Sequence, residues 1–326
     1  MESWLWLFAG LALLLAGGEI LVRGAVATAR NLGVSPILIG ITLVGFGTSV
    51  PEMVASIQAT WAGIPGLAIG NIVGSNIANI LLILGLTAAI APISVAAGTL
   101  GRDGLSVLAA TLLFMGLSLT TPLTVLVGFL LLALLVLYLV AVTVHEARSN
   151  APEYESAYAP ANGTKPGAAL RILGSFALTI AGIAVVVTGG DFTVDSAVEI
   201  AQTYKISDAV IGLTIVAIGT SLPELATSLI AAFRNQADVA VGNILGSNMF
   251  NILGIGGLTA AIAPLPVAIP LQIQSFDMYV MLAATIALIA FRWQFGRVGR
   301  LVGLMWFLAY CGYLGVLAMP VLTGGA

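Results

Sequence analysis

Charged residues are scarce in this chain. Of its 326 residues, 8% are Asp, Glu, Lys or Arg and 60% are hydrophobic, whereas a soluble domain carries roughly 25% charged residues. This composition excludes an ordinary soluble protein and predicts an all-α polytopic membrane protein. No basic residue precedes the first apolar run, and that run continues beyond the length of a signal-peptide core, so we expect it to remain as a helix.

Cysteine and histidine occur once each, as Cys311 and His145. A single cysteine excludes an intrachain disulfide and a multi-thiolate metal site. Because Cys311 lies among apolar residues, we expect it to be a small buried hydrophobe. His145 falls in a polar stretch, where we expect it to be solvated.

The apolar residues group into ten segments, each near the ~20 residues that a spanning helix needs. Residues 145–168 contain three prolines and no long apolar run, and they read as a linker between a first five-helix half (1–144) and a second (169–326). The segments are Trp4–Val26, Pro36–Trp61, Leu67–Ala91, Gly104–Leu119, Leu123–Val144, Ala169–Gly189, Asp208–Phe233, Val239–Ala263, Phe276–Phe291 and Leu301–Leu322.

Basic residues give the orientation. If the N-terminus lies outside, only Lys205 falls outside, and the linker and ten basic residues face the cytoplasm, which is a strong positive-inside signal for a cell-membrane protein. Five helices per half make the second half enter from the opposite face, as inverted repeats do. The ten are Arg23, Arg30, Arg102, Arg148, Lys165, Arg171, Arg234, Arg292, Arg297 and Arg300.

The two halves share a repeated stretch. Shifted by 172 positions, Gly40–Pro92 aligns without a gap on Gly212–Pro264, with 29 identities in 53 positions. Each copy contains Gly-Thr-Ser-x-Pro-Glu, ending at Glu52 or Glu224, followed by Gly-Asn-x-x-Gly-Ser-Asn-x-x-Asn-Ile-Leu. A duplicated half with one intramembrane acid per copy is typical of secondary transporters with an ion site at the membrane midplane.

The prolines Pro51 and Pro223 immediately precede these acids. Proline removes a backbone donor and displaces the carbonyl four residues earlier, so each segment is predicted to break there and free carbonyl oxygens. A packing kink is the alternative interpretation. An acid beside each break favours an ion site, because an intramembrane acid requires a partner or a polar cavity.

The following segments each carry a polar stripe at i, i+4 and i+8. We expect four of its residues, Ser75, Asn79, Ser247 and Asn251, to line the ion cavity, although interhelical hydrogen bonding alone is the alternative. Gly70, Gly74, Gly242 and Gly246 are expected to serve helix packing. We expect Asn71, Asn76, Asn243 and Asn248 to brace helix ends.

Carboxylates, amides, hydroxyls and freed carbonyls form an all-oxygen donor set. Such a set suits Ca²⁺, which takes about 6–8 oxygens, and Na⁺, which is of similar size. The absence of histidine and thiolate near the acids disfavours zinc and copper. Two acids neutralise one Ca²⁺ or two monovalent ions, which favours exchange of cations over their free release.

These motifs resemble the α-repeats of the cation/calcium exchanger superfamily, and the whole chain is similar to prokaryotic sodium/calcium antiporters. The resemblance implies that Glu52 and Glu224 are the central ligands. It also implies ligation by the flanking residues Thr48, Ser49, Thr220 and Ser221, by Ser75, Asn79 and Ser247, and by the carbonyls of Gly45 and Ala217. A sodium/calcium member of the superfamily has an aspartate where this chain has Asn251.

The resulting hypothesis is a Ca²⁺/Na⁺ antiporter, with no cofactor beyond the transported ions, no nucleic-acid partner and a monomer in the lipid bilayer. An H⁺-driven exchanger on the same fold remains open, as does a cation channel. An intramembrane enzyme lacks a nucleophile or histidine near the acids.

Overall fold

The computed structural model describes residues 2–94, 97–148, 168–204, 217–295 and 297–322, and these are almost entirely helical. The helices are α1 (Glu2–Leu32), α2 (Pro36–Thr48), α3 (Val50–Trp61), α4 (Pro65–Ile90), α5 (Ala97–Thr120), α6 (Val125–Arg148), α7 (Ala168–Thr203), α8 (Leu222–Phe233), α9 (Ala237–Ile262), α10 (Ile273–Asp277 continuing as Met278–Phe295) and α11 (Arg300–Leu322). A short helical turn, Ala217–Gly219, precedes α8.

The predicted class, an all-α polytopic membrane protein, is confirmed. Within the described ranges, eight helices are long and apolar enough to cross a membrane, or nine if the bent pair α2–α3 is one span. Residues 208–216 of the seventh predicted segment and residues 149–167 of the predicted linker lie outside the described residues. The count of ten helices therefore stays a prediction.

Two helices extend well beyond their predicted apolar segments. Helix α7 continues to Thr203, which is 14 residues past the predicted end at Gly189, and α1 continues to Leu32. Hydropathy marks only the apolar part of a helix, whereas its backbone hydrogen bonds continue into polar sequence. Polar residues Asp191, Asp195 and Glu199 occupy the extension of α7.

Helices α4 and α9 form the centre of the molecule. Their spanning stretches are 83% and 94% buried, while none of the other six unbroken spanning helices in the described ranges exceeds 44%. Their central position suits the Gly-Ser-Asn motifs that they carry, since polar side chains in a membrane protein need protein neighbours rather than lipid.

Glycines bring the second repeat's central helix against α2. A methyl group added at Gly246 would lie 2.3 Å from the carbonyl oxygen of Ile41, and one at Gly242 would lie 2.6 Å from that of Ile37. The packing role predicted for these two glycines is therefore confirmed. A Cβ at Gly70 would lie 3.7 Å from Cδ1 of Ile273 and one at Gly74 would meet no described atom within 4 Å, so the packing role of these two glycines stays a prediction.

Short backbone pairings join loops from the two halves. Strand β1 (Ile93–Ser94) pairs antiparallel with β2 (Arg297–Val298). Leu123 and Val267 exchange two backbone hydrogen bonds of 2.9 Å. The loop after α4 thus contacts the loop before α11, and the loop after α5 contacts the loop before α10.

The prediction that Cys311 is buried is wrong, because its side chain is exposed on α11. Apolar neighbours indicate burial in a soluble protein, but α11 turns much of its apolar surface outward: its spanning stretch is only 17% buried. In a membrane protein lipid provides the apolar environment instead.

Candidate cation site

Glu52 and Glu224 occupy matching positions in the structure. Each lies in the first turn of a helix, α3 or α8, directly after a non-helical serine, and each is 1% exposed. The break at Ser49 bends α2 and α3 by 43°, as Pro51 predicted. Helix N-termini carry partial positive charge and unsatisfied N–H groups, so the break stabilises a carboxylate there.

Each glutamate is bound by a serine of the other repeat. The hydroxyl of Ser49 donates to Glu224 Oε1 at 3.4 Å, and that of Ser221 donates to Glu52 Oε1 at 3.3 Å. Residues 175 and 169 positions apart are thereby brought together. The two Gly-Thr-Ser-x-Pro-Glu motifs therefore face each other across one site.

Helix α9 completes the contacts of the first motif. Thr48 donates to Asn243 Oδ1 at 3.0 Å and lies 3.5 Å from the hydroxyl oxygen of Ser247. Ser247 donates to the carbonyl of Gly45 at 3.3 Å. That carbonyl also accepts the N–H of Ser49 at 3.2 Å. The carbonyl oxygen of Gly45 thus accepts two hydrogen bonds, and it would have to give up one of them to bind an ion.

Asn71 and Asn243 hold the turns that carry the glutamates. The Asn71 amide donates to the carbonyl of Glu52 at 3.1 Å and to Ser56 Oγ at 3.0 Å. In the second repeat Asn243 contacts the carbonyl of Glu224 at 3.4 Å and Ser228 Oγ at 3.1 Å. These asparagines were predicted to brace helix ends; their contacts are to the glutamate-bearing helices.

Sequence reasoning missed Ser56 and Ser228. Both lie four residues after a glutamate, on the same helical face, and both accept an asparagine amide. The available signal was their identity under the shift of 172 positions. They position the glutamates through the asparagines.

Wide π-helical turns follow the Gly-Ser-Asn motifs in both halves. They span Ala78–Leu84 in α4 and Phe250–Ile255 in α9, so they begin 172 positions apart. Such turns are rare and often occur at functional sites. They contain Asn79 and Asn251, which are each 1% exposed, and Asn79 donates to Asn248 Oδ1 at 2.9 Å across the repeats.

Several buried oxygens at this place have no hydrogen-bond partner among the described residues. An unpaired polar atom in the hydrocarbon region costs several kcal/mol, so these oxygens suit a cation with an all-oxygen coordination sphere. Ser75 is also buried, at 5% exposed. The unpaired atoms are Glu52 Oε2, Glu224 Oε2, Thr220 Oγ1, Asn79 Oδ1 and Asn251 Oδ1.

A family model described as sodium/calcium exchanger protein matches residues 2–144 and 174–319. The chain belongs to this sodium/calcium exchanger family. The exchanger is therefore a membrane-embedded transporter that exchanges Ca²⁺ for another cation, and the transported ions are its substrates. The predicted superfamily is confirmed, and membership of a transporter family agrees with the expectation that the chain is not an enzyme.

Relatives align with the exchanger over nearly their full lengths. The putative antiporter CaxA of Alkalimonas amylolytica is 39% identical over 318 residues, covering 95% of this chain and 96% of that protein. The sodium/calcium exchanger MaX1 of Methanosarcina acetivorans is 33% identical over 341 residues, covering 94% and 97%.

Solved structures of the sodium-calcium exchanger NCX_Mj share the fold. One, soaked with Na⁺ and Sr²⁺, is 32% identical, has a TM-score of 0.78 and covers 98% of both chains. Helices outside the repeated motifs therefore also follow the architecture of this family.

Proposed function

We propose that the exchanger is a secondary active antiporter that exchanges Ca²⁺ for Na⁺ by alternating access, with the ions bound at the membrane midplane between Glu52 and Glu224. One observation carries the proposal. Two buried carboxylates from opposite repeats each accept a serine of the other repeat and each keep one unpaired oxygen.

Charge explains why such a site exchanges ions. Two carboxylates balance one Ca²⁺ or two monovalent cations, and leaving both ionised without a cation in the low-dielectric interior is unfavourable. The site therefore switches its access from one side of the membrane to the other only with one kind of cation or the other bound. That coupling separates an antiporter from a channel, which needs no counter-ion.

The remaining ligands come from hydroxyls and amides around the carboxylates. Unpaired oxygens on Thr220, Asn79 and Asn251 support direct coordination by these three. Thr48 and Ser247 are paired with other groups and would turn toward a bound ion. Ser49, Ser221 and Ser75 complete the proposed set.

Two related exchangers favour sodium as the counter-ion. MaX1 is named a sodium/calcium exchanger, and NCX_Mj was soaked with Na⁺, Ca²⁺ and Sr²⁺. The H⁺-driven alternative uses the same carboxylates, which would bind protons when Ca²⁺ leaves. Asn251 motivates the comparison, because a neutral amide here reduces the negative charge available for Na⁺ relative to an aspartate.

The driving ion is tested with purified exchanger in proteoliposomes. Sodium and pH gradients are imposed separately, the membrane potential is clamped by an ionophore in both conditions, and uptake of ⁴⁵Ca²⁺ is measured. We expect an outward Na⁺ gradient to drive uptake and a pH gradient alone to leave it at the level of protein-free liposomes. Uptake that follows only the pH gradient would establish the proton-driven alternative, and gradient-independent flux would indicate a channel.

We further propose two inverted repeats, residues 1–144 and 169–326, joined by a cytoplasmic linker at 145–168. The chain is proposed to be a monomer in the cell membrane, with its N-terminus outside. The loop pairings support the inversion. Ile93 pairs with Val298, and Leu123 pairs with Val267. Position 93 of the first half corresponds to 267 of the second (a shift of 174) and 123 corresponds to 298 (a shift of 175), so each loop pairs with the counterpart of the other. Repeats of equal orientation would place the paired loops on opposite membrane faces.

Cysteine labelling tests this orientation. In a Cys311→Ala background, a single cysteine at Gly163 should react with a membrane-impermeant maleimide only from the cytoplasmic side, and one at Thr203 only from outside. Labelling of both from the same side would contradict the inverted arrangement.

A further inference from the structure

A basic cavity lies away from the carboxylate site, at one end of α1. It has a volume of about 410 Å³ and lies between α1 and the connection from α8 to α9. Its polar lining includes Arg23 and Arg30 from α1 and Arg234 and Gln236 from that connection, while Val22 and Val26 form an apolar part of the wall. None of its lining residues is a proposed ion ligand.

One acid, Glu19, compensates part of the positive charge. Its carboxylate accepts a hydrogen bond from Nε of Arg23 and two hydrogen bonds from Arg234, through Nε and Nη2 of that side chain. Arg23 and Arg234 thus share one carboxylate, which leaves a net charge of +1 among these three groups. Each guanidinium has five N–H donors, so the terminal amino groups of Arg23 can donate to a second anion while Nε stays on Glu19.

The surface of α1 that leads to the cavity is apolar and exposed. Phe8, Leu11 and Leu15 are 64%, 41% and 62% exposed. Their spacing of three and four residues continues through Glu19 to Arg23, which places them on the same helical face as the cavity. Leu15 lies about 12 Å along the axis from Arg23, at 1.5 Å per residue. This distance is within one leaflet of a ~30 Å hydrocarbon core.

We propose that this cavity binds the phosphodiester headgroup of an anionic phospholipid, whose acyl chain runs from the cavity along Leu15. Basic cavities between spanning helices are suited to such headgroups, and Arg matches phosphate oxygens in bidentate geometry. Because the headgroup would contact Arg23 on α1 and Arg234 beyond α8, the lipid links these two helices. This link couples the anionic lipid content of the membrane to the stability of the exchanger.

Thermal unfolding in nanodiscs tests the proposal. The full-length exchanger is compared in discs of phosphatidylcholine with increasing phosphatidylglycerol, using wild type, Arg23→Gln, Arg23→Lys and, as a matched control, Arg300→Gln. Arg23 is a suitable target because its side chain is 65% exposed and Glu19 keeps Arg234 when it is replaced. Arg300 is an exposed arginine at the start of α11, outside the cavity.

We expect phosphatidylglycerol to raise the Tm of wild type and Arg300→Gln alike, and Arg23→Lys, which keeps the charge but loses the forked donors, to lie between wild type and Arg23→Gln. Arg23→Gln should need about fivefold more phosphatidylglycerol for half of the rise. The same lipid titration for wild type and Arg23→Gln would overturn the proposal. An equal rise with inorganic phosphate in pure phosphatidylcholine discs would assign the cavity to a free anion and would also overturn it.

Discussion

Glu52→Gln and Glu224→Gln should each reduce Ca²⁺ exchange to the background of protein-free liposomes. The substitution keeps the size of the side chain but removes one of the two charges that neutralise a divalent cation. Removing one partner of a buried ion pair costs about 3–5 kcal/mol, which corresponds to a loss of more than roughly a hundredfold in affinity. Initial rates of ⁴⁵Ca²⁺ uptake against an imposed Na⁺ gradient measure this loss.

Folding and position are controlled in the same assay. Both variants should keep the elution volume of the wild type in size-exclusion chromatography, because glutamine can still accept the serine hydroxyl at 3.3–3.4 Å. Glu199→Gln, at an exposed position of α7, is the matched control and should exchange like wild type. Near-normal exchange by either site variant would remove that glutamate from the ion site.

Gly246→Ala should cause the second large effect. A Cβ here would lie 2.3 Å from the carbonyl oxygen of Ile41 and 2.7 Å from its Cα, and backbone atoms cannot rotate away. The helices α2 and α9 would have to separate, at a cost of about 1–3 kcal/mol or more. Because Ser247 and Thr48 lie at this contact, their hydroxyl oxygens, 3.5 Å apart, would also move apart. We expect a lower Tm and a strongly reduced exchange rate.

The matched control is Gly312→Ala. Gly312 is an exposed glycine of α11, and a Cβ there meets no described atom within 4 Å. This variant should keep the Tm and exchange rate of the wild type. If Gly246→Ala behaved like Gly312→Ala, the close approach of α9 to α2 would not be required for the site.

The main features of the site were predictable because they depend on the chain alone. Pro51 must interrupt a helix, and a break indeed precedes Glu52. The duplication under a shift of 172 positions also implied two equivalent acids. The contacts of these acids with Ser49 and Ser221 follow once the two motifs share one site.

Other features depend on tertiary context, which the sequence does not express locally. The wide π-helical turn that starts at Ala78 and contains Asn79 was not predicted, because no local sequence pattern marks it. Asn71 contacts the carbonyl of Glu52, a backbone group that no side-chain pattern identifies. Cys311 shows that apolar sequence cannot separate protein-facing from lipid-facing surface.

Equilibrium binding of ⁴⁵Ca²⁺ to purified exchanger tests the central claim most directly, because it needs no gradient and no turnover. If Glu52 and Glu224 hold one divalent cation between the repeats, wild type binds one Ca²⁺ per chain, Na⁺ displaces it, and Glu52→Gln and Glu224→Gln each abolish the binding. Ca²⁺ binding that survives in both variants with wild-type affinity would contradict the account.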